Sequence, residues 1–472
     1  MKKMKIIILV PDGVGVRNYL FSNFASNLLI EGNEVLIYHK LSESAVEEIK
    51  YNKPEINNFK VIPDFIESPK ARLLRESLAY ARLLRNKSIL KNKTILKFWS
   101  PSKKGIKKKG LYFLAEFLGY ILSKSYKLIL KTDKIYECEI AKSRTIESIK
   151  ETLLNFNPDF ILNLHQRTPV ISPIINTSKK LNIKTGTVIF SWDNVPKARL
   201  ISRYDFYFVW SDLMKNQLLE LYSEISPSQI KISGTPQFEF YSYDNLYDER
   251  KIFLNKYGLD ENKKTICFSG NDISSPYDAI YLNDICEEIV KLDKKIRPQI
   301  LFRRCPVDMS DRFDSTLKKF KEFVFPVNPD WKTGKESGDS FATIYPTTND
   351  NRLLVNTVKH SDIVINLGST MAHDFAILDK PCLYLNYDPI DNSKFKVEDV
   401  FNFEHFRSMK NIDAVGWINN KNEISNKIFE AINTPNKVGK DRKDWLEKIV
   451  LHPIEGNSNK LIEKIKECTS VS

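Results

Sequence analysis

The sequence predicts an α/β protein of two doubly wound, Rossmann-like domains that face a cleft. Two series of short apolar runs alternate with amphipathic stretches, one within residues 5–190 and the other within residues 264–387. Such alternation is typical of parallel sheets, because a helix must return the chain before the next parallel strand begins. The chain has 472 residues, of which 42% are hydrophobic, so it can bury two or three cores. This composition excludes disordered, collagen-like and disulfide-stapled proteins.

The elements follow from the position of each run. The run 5–10 ends at Pro11 and predicts a buried first strand, since it is too short for the apolar core of a signal peptide. Further strands are predicted at 34–38, 159–164, 185–190, 264–268, 299–303, 322–327, 362–367 and 381–387, and helices at 18–31, 143–155, 277–292, 351–359 and 370–378. We expect an N-terminal domain in 1–240, a C-terminal domain in 241–430, and helices in 431–472 that pack back toward the first domain.

The positive charge is concentrated in one segment. The whole chain carries +13, and fourteen Lys and Arg against Glu76 give 14 − 1 = +13 between Lys70 and Lys109 alone. The repeat Ala-Arg-Leu-Leu-Arg at 71–75 and 81–85 has helical spacing, which predicts a basic helical insertion at about 68–130 with an apolar face. Such a segment suits an anionic membrane surface. A solvated helical pair packed on the domain is the alternative, and nucleic acid is a less favoured third.

Cysteine and histidine usage gives no sign of a metal centre or a disulfide framework. The six cysteines form no CxxC pair and do not cluster with the six histidines, which is typical of a reducing cytosol. No apolar run approaches the length of a membrane span. We therefore expect a cytoplasmic protein that binds peripherally to the inner face of the cell membrane.

The strongest local motif lies between Ser361 and Leu385. An apolar run ends at Gly368, Ser369 or Thr370 is placed to cap the next helix, and Asp374 lies one turn inside it. Free amides at a helix start can hold a diphosphate, and a carboxylate one turn further in can accept hydrogen bonds from ribose hydroxyls. The alternative is a capped helix with no ligand.

This motif, together with Val209-Trp210-Ser211-Asp212 and Ile232-Ser233-Gly234-Thr235-Pro236-Gln237-Phe238 upstream, resembles the GT-B glycosyltransferases of bacterial surface-polysaccharide (capsule and O-antigen) synthesis. The resemblance covers roughly the second half of the chain. It implies that the C-terminal domain binds a nucleotide-sugar donor and the N-terminal domain the acceptor. The family often has Glu where this chain has Asp374, a shorter side chain for the same ribose contact.

Other loops of the second domain fit such a donor. Gly270 and Asn271 follow the first strand of that domain, where a glycine permits close approach of phosphate. Arg303 and Arg304 follow the next strand and can neutralise a pyrophosphate leaving group. Because arginines and a helix terminus can replace a cation, we expect no essential metal and no cofactor beyond the nucleotide-sugar substrate.

The first domain supplies the candidates for acceptor binding and for the base. Gly13, Gly15 and Arg17 follow the first strand but lack the third glycine of a dinucleotide fingerprint, so we interpret them as an acceptor loop. Loops after two later strands contain His165 and the run Trp192-Asp193-Asn194, of which Trp192 and Asn194 are assigned to the acceptor. An inverting transfer needs a base for the attacking hydroxyl. The candidates are Asp193, ranked first, His165 and Asp12, and a retaining transfer would need none.

The sequence thus predicts a glycosyltransferase that moves a sugar from a nucleotide-sugar to a lipid-linked or growing surface glycan. Two alternatives from the same fold are a polyol-phosphate transferase and a nucleotide-sugar 2-epimerase. A third, from another class, is a non-catalytic nucleotide- or nucleic-acid-binding protein. Steeply salt-dependent binding to RNA or DNA would favour that last alternative.

Overall fold

The computed structural model describes residues 3–101, 105–272, 275–333, 344–391 and 394–470. The first domain contains a seven-stranded sheet in the order β3-β2-β1-β4-β5-β6-β7, and every neighbouring pair is parallel. Its strands are β1 Lys5–Val10, β2 Glu34–His39, β3 Phe59–Val61, β4 Phe160–Asn163, β5 Lys184–Val188, β6 Phe206–Val209 and β7 Ile230–Ile232. The order reverses at the neighbours β1 and β4, which is where ligands bind in open parallel sheets.

The second domain repeats this plan with a six-stranded parallel sheet. Its order is β10-β9-β8-β13-β14-β15, and the switch point lies between β8 and β13. The strands are β8 Thr265–Ser269, β9 Gln299–Arg303, β10 Val324–Pro326, β13 Ile363–Asn366, β14 Cys382–Leu385 and β15 Gly416–Ile418, and the antiparallel pair β11 Trp331–Thr333 and β12 Ile344–Pro346 stands apart from this sheet.

Helices connect the strands and cover both sheets. They are α1 Asn23–Ile30, α2 Glu43–Asn52, α3 Pro69–Ile89, α4 Ile106–Ser123, α5 Tyr126–Ile140, α6 Ile146–Phe156, α7 Ser172–Lys180, α8 Asp212–Leu221, α9 Arg250–Lys256, α10 Asp278–Val290, α11 Asp314–Lys319, α12 Thr348–His360, α13 Met371–Ile377, α14 Val397–Phe401, α15 Ile424–Asn433, α16 Arg442–Ile449 and α17 Asn457–Ser470. Several begin at a serine whose hydroxyl accepts a bond from a backbone N–H of the first turn, as Ser22, Ser42 and Ser68 do.

The predicted α/β fold of two doubly wound domains is confirmed, and the predicted helical insertion is present as α3, α4 and α5 between β3 and β4. One helix differs from its prediction: 18–31 divides into a π-helical turn at Val16–Leu20 and α1, because the Ser22 cap begins a new helix. The sequence analysis predicted no strand at β3, β6, β7, β11, β12 or β15, since the four-residue β6 and the others, of three residues each, are short.

The C-terminal helices contact the first domain. Leu451, just after α16, donates its backbone N–H to the Trp210 carbonyl at 2.8 Å. At the start of α17, the Asn457 amide donates to the Thr235 carbonyl at 3.3 Å. The exact domain limits stay a prediction. In the described part of the chain, no helix combines the length and apolar character needed to cross a membrane.

Candidate active site between the domains

The carboxyl ends of β1 and β4 bring Asp12 and His165 together. Asp12 Oδ2 lies 2.6 Å from His165 Nδ1, and Asp12 Oδ1 accepts the Val14 backbone N–H at 3.1 Å. The Asp12 side chain is 3% exposed and the His165 side chain 15%. A carboxylate can only accept hydrogen bonds, so in the neutral imidazole Nδ1 carries the proton and Nε2 has the lone pair. This Asp12–His165 pair therefore has the geometry of an oriented general base.

The loop after β1 is in close contact with the second domain. A Cβ added to Gly13 would lie 1.9 Å from the backbone oxygen of Ile344 on β12, a distance that no side chain can occupy. A Cβ on Gly15 would lie 2.9 Å from Leu164. Packing thus accounts for both glycines that the sequence analysis assigned to acceptor binding.

Asp193, ranked first as the base, is held in an ion pair. Lys197 Nζ lies 2.5 Å from Asp193 Oδ2, and the Asn194 amide donates to Asp193 Oδ1 at 2.8 Å. Burial alone would raise the pKa of Asp193, but the charge and hydrogen bond of Lys197, together with His405 and the hydrogen bond from Ser191, hold the pKa well below its usual range. A carboxylate with so low a proton affinity is a poor base. Asn194 also accepts from Gln166 at 3.0 Å and is buried.

Trp192 joins the two domains instead of facing an open acceptor site. Its ring packs edge-on against His373, His405, Phe406 and Trp445, with ring centroids 4.7–6.1 Å away. We call these five residues the tryptophan cluster. Trp192 is 3% exposed, so its large apolar ring is accounted for by packing across the interface.

His373 is an unusual member of the tryptophan cluster. It is fully buried, and neither ring nitrogen has a hydrogen-bond partner among the residues that the structure describes. Burial lowers the pKa of His373 to about 3 and that of His405 to about 4. Both imidazoles are therefore neutral at pH 7.

Arg17, Arg303 and Asp374 meet at the same interface, with Asp350 as a fourth member of what we call the interdomain ion cluster. Arg303 Nη2 donates to both carboxylate oxygens of Asp350, at 3.0 and 3.2 Å. Burial would raise the pKa of Asp350, but the charges of Arg303 and Arg17 outweigh it and lower the pKa. The charge of Arg17 thus acts on carboxylates of the second domain.

Asp374 is buried at this interface and already has a partner. The Tyr241 hydroxyl, from the segment that links the two domains, donates to Asp374 Oδ1 at 2.8 Å. Burial raises the pKa of Asp374, although Arg17 and the bond from Tyr241 oppose the rise. Ribose hydroxyls would have to replace Tyr241 to reach this oxygen.

The start of α13 is less regular than the sequence suggests. Gly368 has a φ of +67°, and a Cβ there would lie 2.8 Å from the Phe406 ring, so the turn favours glycine. The Ser369 hydroxyl accepts the Met371 N–H at 3.4 Å, and Thr370 makes no capping bond. Since α13 has only seven residues, its helix dipole is weak support for a diphosphate site.

The remaining donor-site candidates are engaged in local structure. Gly270 donates its backbone N–H to the Arg303 carbonyl at 3.0 Å. Asn271 bridges two loops, since its side-chain amide donates to the Leu367 carbonyl at 2.9 Å. Arg304 donates to backbone carbonyls of Asp308 and Ser310. The guanidinium of Arg304 is therefore committed to its own loop.

Sequence reasoning overlooked Arg167, which lies two residues after His165. Its guanidinium is half-buried and forms no hydrogen bond or ion pair with any residue that the structure describes. Burial lowers the pKa of Arg167, and the charges of Asp193 and Asp12 oppose this shift. The run His165-Gln166-Arg167 at a strand end was the signal that could have identified it. Within the described residues, no three His, Cys, Asp or Glu side chains converge to hold a metal ion.

Comparison with known proteins shows the fold. No protein-family model and no curated protein matches the chain. Among solved structures, it is similar to the UDP-GlcNAc 2-epimerase of Neisseria meningitidis bound to UDP-GlcNAc (12% identity, 98% of this chain and 100% of that chain, TM-score 0.56). It is also similar to the UDP-GlcNAc 2-epimerase of Methanocaldococcus jannaschii (13% identity, 99% of this chain and 100% of that chain, TM-score 0.51). A glycosyltransferase of Rickettsia africae is similar as well (13% identity, 100% of this chain and 98% of that chain, TM-score 0.54).

The chain therefore has a GT-B-like architecture. In each comparison the similarity spans nearly the full length of this chain and of the compared chain. At 11–13% identity it concerns the fold and not the chemistry. Function has to be argued from the side chains between the domains.

Proposed function

We propose that this protein is an enzyme acting on a nucleotide-sugar, with His165 as its general base. The Asp12–His165 pair carries the proposal, because a buried carboxylate on Nδ1 leaves Nε2 as a proton acceptor at the switch point of the first sheet. In this proposal Asp193 is not the base, and its ion pair with Lys197 serves to position its loop. Arg17 and Arg167 supply positive charge for a diphosphate.

A nucleotide-sugar 2-epimerase is the first candidate. The solved structures reported above support it better than the transferase that the sequence analysis placed first, since two of the three are 2-epimerases. Inversion at C2 balances if a base takes the C2 proton while the C1–O bond to the nucleotide diphosphate breaks, so that a C1–C2 double bond forms and the diphosphate leaves. A proton is then added to the opposite face of C2 as the diphosphate adds back to C1. His165 Nε2 is the group in this structure that we assign to the removal.

A glycosyltransferase is the second candidate, favoured by the cationic and apolar surface of the helical insertion. In this reaction His165 would deprotonate an acceptor hydroxyl as it attacks the anomeric carbon. The fold similarity to the Rickettsia africae glycosyltransferase is compatible with this candidate. Asp374 stays the proposed ribose ligand in either reaction, with the sugar-nucleotide hydroxyls taking the place of Tyr241.

Incubation of nucleotide-sugars with the enzyme in D2O tests both candidates by proton NMR. An epimerase exchanges the C2 hydrogen for deuterium and forms the C2 epimer without an acceptor. A transferase leaves the C2 hydrogen in place and consumes the donor only when an acceptor glycan is added. His165→Ala should abolish either reaction. Undiminished turnover by His165→Ala would remove His165 as the base.

A further inference from the structure

Helix α4 presents an apolar stripe to solvent. Six large side chains share its outer face, with exposed fractions from 43 to 89%: Ile106, Phe113, Leu114, Phe117, Tyr120 and Ile121. Their spacing of three, four or seven residues places them on one side of a helix. The opposite side packs inward at Ala115 and Gly119, where a Cβ added to Gly119 would lie 2.7 Å from the Ser77 backbone oxygen.

Positive charges flank this stripe. Lys108 and Lys109 are exposed in the first turn of α4, and Lys124 and Lys127 are exposed beyond its last turn. Lys124 Nζ lies 4.2 Å from the centre of the Tyr120 ring. The only acid in α4, Glu116, is turned inward, since the Trp99 indole N–H donates to its Oε1 at 2.8 Å. The outer face of α4 therefore combines apolar side chains with cations.

Arg75 and Arg82 of α3 do not belong to this surface. Arg75 pairs with Glu67 and Glu76, and Arg82 pairs with Asp133 and Glu224. These two arginines of the basic segment Lys70–Lys109 therefore add little to an open cationic face: Glu67 and Glu76 nearby in sequence neutralise Arg75, and Asp133 and Glu224 far along the chain neutralise Arg82. Ser102, Lys103 and Lys104 lie outside the described residues.

We propose that α4 docks on an anionic lipid bilayer, lying in the plane of the interface. The apolar stripe would enter the boundary between headgroups and acyl chains, and the lysines would contact anionic headgroups. A second copy of this chain fits less well. Lysines stand at both ends of the stripe, so either a parallel or an antiparallel pair would bring like charges together.

Docking through α4 would bring the cleft close to the membrane. Trp99, bonded to Glu116 of α4, lies beside Phe98, whose ring stacks on Phe403 of the second domain at 5.2 Å. Lys197, the partner of Asp193, lies 5.2 Å from the centre of the same Phe98 ring. The insertion thus contacts a loop of the candidate active site. The docking surface shares no residue with the proposed catalytic site, so vesicle binding and nucleotide-sugar turnover can fail separately.

Co-sedimentation of the full chain with vesicles tests the proposal. Wild type should bind phosphatidylglycerol vesicles more tightly than phosphatidylcholine vesicles, and added salt should weaken the difference. Phe113→Ser with Phe117→Ser should reduce binding at least about tenfold, and Lys109→Glu with Lys124→Glu should do so for the anionic vesicles. All four side chains are exposed, so these changes leave the core intact.

Matched controls lie outside the helical insertion. Ile252→Ser with Ile296→Ser removes side chains as exposed as Phe117, at 61 and 60%, and should leave vesicle binding unchanged. Lys437→Glu with Lys440→Glu, both exposed, controls for net charge. Vesicle binding that is equal in wild type and both α4 variants would overturn the proposal. The proposal would also be overturned if wild type does not bind vesicles but forms dimers, and if Phe113→Ser with Phe117→Ser disrupts those dimers.

Discussion

His165 Nδ1 lies 2.6 Å from Asp12 Oδ2 across the neighbouring strands β1 and β4. The two residues are 153 positions apart in sequence, and only the parallel pairing of the two strands brings their following loops together. The pair fixes the tautomer of His165 and leaves Nε2 available to accept a proton.

His165→Ala should lower kcat by about a hundredfold or more while nucleotide affinity stays unchanged, because only proton transfer is lost. Asp12→Asn should act in the same direction. The Asn oxygen can keep the bond from Val14 while its amide donates to Nδ1, which forces the proton onto Nε2. Steady-state kinetics measure kcat for both variants, and thermal unfolding checks that both are folded. Normal kcat in a folded Asp12→Asn variant would refute its positioning role.

Asp193→Asn should affect stability more than chemistry. It leaves Lys197, whose side chain is only 18% exposed, without its carboxylate and should cost about 1–3 kcal/mol. The depressed pKa of Asp193 stabilises the fold above the ordinary Asp pKa, and this contribution is lost as pH falls through the depressed value. Urea unfolding measures the loss. A folded Asp193→Asn variant with no turnover would instead restore Asp193 as the base.

Asp374 and Tyr241 give a matched pair of variants for the ribose site. Asp374→Ala should weaken nucleotide binding about tenfold, the loss of one or two hydrogen bonds to a charged group. Tyr241→Phe removes the competing hydroxyl and should leave that affinity equal or higher. Calorimetric titration of the two variants and wild type, with whichever of UDP, GDP, CDP, CMP and TDP binds to wild type, compares the affinities. Equal affinity in Asp374→Ala and wild type would assign Asp374 to anchoring the Tyr241 segment only.

The lowered pKa of His373 predicts that the free energy of unfolding falls in acid. Its pKa of about 3 in the fold lies below the ordinary 6.5, so unfolding takes up a proton below pH 6.5 and stability falls as pH falls. One such group lowers the free energy of unfolding by about 1.4 kcal/mol per pH unit. His373→Phe should reduce the slope between pH 6 and pH 4 by about that amount. The other imidazoles whose pKa the fold lowers, His39, His360 and His405, are present in both proteins.

Much of the fold could be predicted from the sequence because buried parallel strands are continuous apolar runs. The strand Gln299–Arg303 was predicted with its observed bounds. The candidate site was harder, since strand ends identify which loops share an edge but not which side chains pair. Asp193 was ranked above His165 because Lys197 could not be recognised as its partner. Trp192 was assigned to a ligand because its four aromatic neighbours lie on segments far along the chain.

In our proposal a nucleotide-sugar binds between the domains, and His165 acts on it without contributing to its affinity. The decisive experiment is a calorimetric titration of UDP, GDP, CDP, CMP and TDP into wild type and His165→Ala. We expect one nucleotide to bind with micromolar affinity, equally in both proteins. If none of the five binds to wild type, the GT-B-like architecture does not serve a nucleotide-sugar in this protein and the proposed function is wrong.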